Sequence, residues 1–570
     1  MKKVFLMVAL LAAMGASAAE TWRVSEIAFE SRGASGADVE LDVVFSSAGA
    51  RLRIPAFWDG GRSYRVRFAP TREGVWKWRT ECAAEKSLDG LAGELEVERY
   101  AGGLEIYRRG FVSAAPGRKY LVYADGTPFL YLGDTHWGFG REVEDDAAHP
   151  DEHHVETVAK RRVEQGFTVW QSEPLGCSFD LADGTVDEAD IAGFRNLDRG
   201  FQIVADHGFV HANAQFFFPR AMRKPLSADE KALRRLSRYW VARYGAYPVM
   251  WTLGQEVDND FYYGKGHGQK EWTATENPYV RIASFIHSFD AYAHPLTAHQ
   301  ESTWDVSVTG RGTGAASSTN DLTRGRSAFA DLASVKTCGH NWWGVQWSPR
   351  LDNGPQRFEV LRDFWEDPRP AVNYEGRYCG LWALDFGARA QVWVSFLSGF
   401  CGQGYGAADL WLFKSTYDMA KPSKNEVESI SLEVKRTPWR KALEFESANQ
   451  MPHFRTFMSA LPWWRMKPDF DTKAHFRPAA GIGGAYASAA DGNGIVVVYV
   501  YDRTSTAAGT LCGLAAGADY RIESFNPRTG ESHDLGPRPA SSGGTIDLPD
   551  RGDRGDWAYR AVLAGGGEAR

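Results

Sequence analysis

The chain of 570 residues has no excess of positive charge: 65 Lys and Arg stand against 72 Asp and Glu, a formal net charge of -7. That balance removes the electrostatic case for a nucleic-acid partner or an anionic membrane surface, and leaves a neutral ligand open. Past its first residues the chain has no apolar stretch approaching the roughly 18 residues of a membrane span, so membrane insertion is not expected. Cysteine is scarce. The six present (Cys82, Cys177, Cys338, Cys379, Cys401, Cys512) are scattered without a C-x-x-C pair, which disfavours a structural zinc site or a dithiol redox motif. Their pairing is not readable from sequence, although export would permit disulfides.

Apolar and aromatic residues are plentiful. Hydrophobic residues make up 44% and aromatics 13%, with 21 Trp, 22 Tyr and 32 Phe, the composition of a core-forming chain rather than a disordered one. At about 150 residues per domain, this length predicts three to four domains. Lys2 and Lys3 precede the uncharged run Val4 to Ala13, and Ala16-Ser17-Ala18 supplies a signal-peptidase pattern. Residues 1–18 are therefore expected to be a signal peptide and the mature protein to be exported, periplasmic or extracellular. No cysteine follows the run, so a lipid anchor there is not indicated.

From Thr21 to about Tyr100, short alternating segments (Val39 to Val43, Tyr64 to Phe68, Val75 to Arg79) are broken by Gly60-Gly61 and by Pro70 to Gly74. Period-two alternation between such turns predicts an antiparallel, Ig-like β-sandwich over 19–105, with Trp76 and Trp78 facing its core. The grammar then changes to strands alternating with helices. Tyr120 to Tyr123 and Pro128 to Leu132 flank Ala124-Asp125-Gly126-Thr127, which reads as a hairpin turn leading into a first strand that ends in Leu132 to Trp137. Val155, Ala159 and Val163 mark a helix closed by Gly166; Leu197, Phe201 and Val204 mark another closed by Gly208. A third opens at a Ser227/Glu230 capping box before Leu233, Leu236 and Trp240. Strand starts near residues 129, 167, 209, 249, 295, 334, 370 and 400 count eight units, the first four spaced by about 40 residues. The fold class expected is multidomain: a central (β/α)8 TIM barrel over 106–465, flanked by the N-terminal β-sandwich and a C-terminal β-sandwich domain over 466–570. The absent G-x-G-x-x-G fingerprint after the first strand weakens the open doubly wound alternative. The last domain is signalled by the run Ile495 to Tyr501 and the turn Asn526 to Gly530.

A barrel of this kind builds its site at the C-terminal ends of its strands. Polar or aromatic residues there are Asp134, His136 and Trp137; Trp170, Gln171 and Glu173; Gln215; Gln255 and Glu256; His299 and Gln300; Asn341, Trp342 and Trp343; Asn373 and Glu375; Gln403 and Tyr405. Glu256 and Glu375 close the fourth and seventh apolar runs. Glycosidic cleavage needs two carboxyl groups, one to protonate the leaving oxygen and one to attack the sugar carbon or activate water against it. One glutamate alone would suit a structural ion pair; two at these strand ends favour chemistry. Aromatic rings fit a sugar because their faces match its C–H faces.

Leu132-Gly133-Asp134-Thr135-His136-Trp137, Trp251 to Glu256, Asn373 to Tyr378 and Gly404-Tyr405-Gly406 resemble the strand-end signatures of the apiosidase-like glycoside hydrolases. Phe68 to Trp76 is similar to the β-sandwich often fused in front of such barrels, and Phe525 to Glu531 to a collagen-binding-like β-domain that often follows. The resemblance implies Glu256 as acid/base, Glu375 as nucleophile and net retention. Two positions depart from the pattern: the wider clan has Asn where Gln255 stands, and close relatives often have Asp where Glu256 stands. Candidates for holding a sugar are Asp134, His136, Trp137, Trp170, Gln215, Gln255, His299, Gln300, Asn341, Trp342, Trp343 and Tyr378.

The partner expected is thus a carbohydrate substrate, with no nucleic acid, no cofactor and no metal; oligomeric state is not legible. His153-His154 beside Glu152 and Glu156 lack the H-x-x-x-H spacing of a helical zinc pair and read as a solvated helix face. The competing functional class is a non-catalytic carbohydrate-binding surface protein on the same scaffold.

Overall fold

The computed structural model describes residues 19–115, 117–139, 153–173, 181, 183–214, 226–254, 278–297, 336–338, 365–366, 368–376, 378–380, 384–407, 410–411, 437, 439–470, 472–480 and 485–565. The expected signal peptide lies outside them.

The N-terminal region is a sandwich of a five-stranded and a three-stranded sheet. Strands Asp42–Ser47, Ser63–Phe68 and Gly74–Glu81 match the alternating segments, except that Val39 to Leu41 precede the first of them. The sheets meet through inward rings: Phe45 stacks on Phe68 at 3.9 Å, and Trp76 is fully buried edge-on to Phe68. Trp78 is half-buried against Phe29.

In the central region, strands are numbered here from the parallel sheet alone: β1 Tyr131–His136, β2 Val169–Ser172, β3 Val210–Ala214, β4 Val249–Thr252, β5 Leu296–Thr297, β6 Lys336–Cys338, β7 Ala371–Asn373 and β8 Gly402–Tyr405. Each begins within two residues of its expected start. They pair in the order β5-β4-β3-β2-β1-β8-β7-β6, every described neighbour parallel, so the first and last strands of this sheet in sequence lie side by side. This is a parallel half-barrel sheet in barrel order. Pro128–Phe129 is not part of β1; it closes a hairpin with Leu121–Tyr123 around Gly126, whose φ of 86° needs glycine.

The connecting helices include α1 His154–Glu164, α2 Asp190–Asp206, α3 Glu230–Tyr244, α4 Pro278–Phe289 and α5 Asp385–Leu397. Two helix details differ from expectation. On α1 the buried stripe is Val155, Val158, Ala159 and Arg162, while Val163 is exposed. At about 100° per residue, position 163 has rotated some 80° off the stripe and 162 has returned to it. The cap of α3 is Asp229, whose carboxylate accepts from the Ala232 N–H at 3.0 Å; Ser227 belongs to the preceding 3-10 turn. His154 is also not on a solvated face. It is buried at the start of α1, its ring 5.3 Å from Trp439.

Glycine decides what fills the sheet's inner face. A Cβ on Gly402 would lie 2.6 Å from the Tyr131 Cβ, and one on Gly404 2.1 Å from the Tyr374 carbonyl oxygen. Their bare backbones admit Tyr131 and Tyr374, and the Tyr374 hydroxyl reaches Thr252 Oγ1 at 3.0 Å and the Ala212 carbonyl at 3.2 Å.

Both flanking β-regions are clamped to the helices by buried ion pairs. Arg67 of the N-terminal sandwich and Arg243 of α3 converge on Asp198 of α2 at 2.6 and 2.7 Å, and Arg243 also reaches Asp59 at 3.1 Å. On the other side, Arg389 of α5 forms a fork with Asp556 at 2.9 and 2.6 Å, and the Tyr499 hydroxyl donates to the same carboxylate. That C-terminal region holds a six-stranded and a three-stranded sheet, with Ile495–Val500 as a central strand.

Candidate active site

Alternation along β1 and β2 sorts the candidate residues onto two faces. Asp134 and His136 point to the helix side. The Asp134 carboxylate accepts from the Arg162 guanidinium on the inner stripe of α1 and lies 3.0 Å from His136 Nε2. Burial alone would raise the Asp134 pKa, but the charges of Arg162 and His136 bring it below its ordinary value. Trp170, on the same side, is completely buried, stacked on His136 at 3.8 Å and edge-on to Phe139 and Phe209. Next to them Ser172 and His211 Nε2 are 2.6 Å apart; burial first, then His136, hold the His211 pKa well below its ordinary value.

The opposite face leads to Glu375. Gln171 points inward and donates to the Tyr374 carbonyl. Trp137 follows β1 by one residue, with the inward parity of Gly133 and Thr135. Its indole N–H points at both Glu375 Oε1, 3.3 Å away, and the Tyr378 hydroxyl oxygen, 2.6 Å away. The Tyr378 hydroxyl in turn donates to Glu375 Oε1. Glu375 is 1% exposed, and Trp137 and Tyr378 are equally enclosed. Burial, then the Glu375 charge, push the Tyr378 pKa well above its ordinary value, so the phenol keeps its proton and remains a donor. Donors aimed at a carboxylate oxygen favour its charged form.

Asp134, His136, Trp137, Trp170, Glu375 and Tyr378 are thus placed; Asp134, His136 and Trp170 meet on the helix side, and only Trp137 and Tyr378 meet Glu375. Gln215, Gln255, Glu256, His299, Gln300, Asn341, Trp342 and Trp343 lie outside the described residues. Arg162 was not anticipated. The signal that could have found it is its place on the α1 stripe, where an arginine among apolar positions requires a buried partner. Among the described residues no group of three or more His, Cys, Asp or Glu could hold a metal ion, and no helix is long and apolar enough to cross a membrane.

A parallel sheet in barrel order with a donor-held buried glutamate at a strand end is an arrangement that glycoside hydrolases use. The family model described as apiosidase-like, catalytic domain matches residues 115–465, and the chain belongs to that family. Residues 18–83 match a domain of unknown function, DUF5060. Among solved structures, a Bacteroides vulgatus protein provisionally named a glycoside hydrolase aligns with a TM-score of 0.65 at 14% identity, covering 96% of this chain and 100% of that one. A glycoside hydrolase family 5 structure from Bacteroides vulgatus aligns at 0.60 and 16% identity, covering 83% and 97%. These likenesses establish the fold. A search of curated proteins returned no match. Family and fold together support a glycosidase acting on a carbohydrate substrate.

Proposed function

We propose that the protein is an exported retaining glycosidase with a complete (β/α)8 barrel, in which Glu375 is the nucleophile and Glu256 the acid/base. The observation that carries this reading is the pair of donors, Trp137 and Tyr378, on one oxygen of Glu375. A carboxylate so held is kept ionised and aimed, as a nucleophile must be. In the first step Glu375 attacks the anomeric carbon while protonated Glu256 gives its proton to the leaving oxygen. In the second, Glu256 takes a proton from water, which releases the sugar from Glu375. The barrel order supports strand-end chemistry, and the signal-like start at residues 1–18 supports export. The family description makes apiose the first sugar to test.

The test is Glu375→Gln and Glu256→Gln, assayed on a panel of plant, algal and host glycans, with proton NMR of the first-formed anomer. Loss of turnover in both variants and a retained anomer are expected. An inverted anomer appearing first, or undiminished activity in both variants, overturns the assignment. A pure binding protein would instead keep its affinity in both.

A further inference from the structure

Glycines on two neighbouring strands open a corridor across the sheet's inner face. Gly133 of β1 and Gly404 of β8 are register partners, side by side between β2 and β7. Neither takes a positive φ, so space rather than backbone conformation is what glycine supplies there. Gln171 of β2 fills that space. A Cβ on Gly133 would lie 2.1 Å from its Oε1, and one on Gly404 2.6 Å from the same atom. Past both glycines the Gln171 amide donates to the Tyr374 carbonyl at 2.5 Å, and the side chain is fully buried.

That carbonyl belongs to the peptide bond joining Tyr374 to Glu375. The pairing of β7 with β8 ends at Asn373 and Gln403, so this peptide lies beyond the ladder. On the far side of Glu375, the Gly376 N–H donates to the Gly404 carbonyl at 3.3 Å. The backbone of Glu375 is thus held from β2 on one side and from β8 on the other, while Trp137 and Tyr378 hold its carboxylate. Gln171 Oε1 has no hydrogen-bond partner among the described residues. A buried amide satisfied at one end only is costlier than an apolar side chain of the same size, and the hydrogen bond it does make is the one to Tyr374.

We infer that Gln171 is a positioning residue for Glu375: it fixes the plane of the Tyr374–Glu375 peptide and so aims the Glu375 carboxylate. This role rests on the reading of Glu375 as nucleophile. The Tyr374 ring is anchored separately, through its hydroxyl at Thr252 and the Ala212 carbonyl. Loss of the Gln171 amide therefore frees the peptide plane rather than the whole residue. A misplacement of about 1 Å in an attacking group can cost on the order of 100-fold in rate.

The test compares wild type, Gln171→Met, Gly133→Ala, the double variant and Glu375→Gln on nitrophenyl glycosides of neutral pentoses and hexoses. Gln171→Met keeps the length and removes the donor; Gly133→Ala leaves Gln171 in place and puts a methyl against its amide. Each single variant should lower kcat by about 10- to 100-fold with KM within about threefold of wild type, because the substrate contacts stay and the attack geometry does not. The double variant should lose no more than about threefold beyond the less active single variant, since both act through one hydrogen bond. Crystal structures of wild type and Gln171→Met should show the Glu375 carboxylate withdrawn from Trp137 and Tyr378. Should thermal melting show Gln171→Met unfolded, Gly133→Ala supplies both readouts. The inference is overturned by kcat within about threefold of wild type in a folded single variant, by a KM rise that accounts for the loss, or by losses that multiply in the double variant. A Glu375 carboxylate unmoved in the variant structure overturns it as well. If wild type turns over nothing, or Glu375→Gln is as active as wild type, the nucleophile reading fails instead, and the two crystal structures alone decide whether Gln171 sets the carboxylate.

Discussion

The indole N–H of Trp137, one residue past β1, points at the carboxylate of Glu375 from 3.3 Å across 238 positions of sequence. Those two strand ends are brought together because β8 lies between β1 and β7 in the sheet. Trp137, expected from sequence to offer a ring face to a sugar, here presents its N–H to the candidate nucleophile.

Replacing either donor should loosen that grip. Trp137→Phe and Tyr378→Phe each remove a donor that holds Glu375, so kcat/KM should fall about 10- to 100-fold. Activity equal to that of wild type in both variants would show that neither donor acts on Glu375.

Asp134 was a candidate sugar ligand; its carboxylate is held by Arg162 instead. Asp134→Ala leaves that buried guanidinium without its anion and should destabilise the fold by about 3–5 kcal/mol in chemical denaturation. A stable Asp134→Ala protein with lowered sugar affinity would point back to a ligand role.

Acid stability follows from three buried carboxylates. Burial would raise the pKa of Asp134, Asp198 and Asp556, but the arginines Arg162, Arg67 with Arg243, and Arg389 bring each below its ordinary value. A folded-state pKa below the unfolded one stabilises the protein above the unfolded value and is lost as pH falls through the folded value. Melting temperature should therefore owe these groups a constant contribution above about pH 5 and decline below about pH 4. A Tm that rises on acidification through that window would contradict the sign.

Gly404 tests the packing under the site. Gly404→Ala places a methyl 2.1 Å from the backbone oxygen of Tyr374, which cannot swing aside. A loss of about 1–3 kcal/mol or more is expected, together with a fall in kcat as Glu375 shifts with Tyr374. Gly103→Ala, with open space around it, is the control and should stay within about 0.5 kcal/mol.

Much of this architecture was legible in the chain. Gly166 and Gly208 take the positive φ angles that end helices, at 78° and 82°, and β2 and β3 begin on the apolar runs directly after them. Glu375 at the end of the seventh run was equally visible. Boundaries were less so: Asp229 displaced Ser227 as a cap, and the expected hairpin formed but its second arm, Pro128–Phe129, ends before β1 begins at Tyr131.

Local pattern determined the elements, their order and their strand-end residues, because hydrophobic period, caps and turns act over a few residues. Which face each residue serves was decided only by the tertiary structure. Asp134, His136 and Trp170 meet α1 and the helix-side core, whereas Trp137 and Tyr378 meet Glu375. The physical reason is that a buried charge or donor takes its partner from whatever strand or helix the fold sets beside it, 28 residues away for Asp134 and Arg162 and 238 for Trp137 and Glu375.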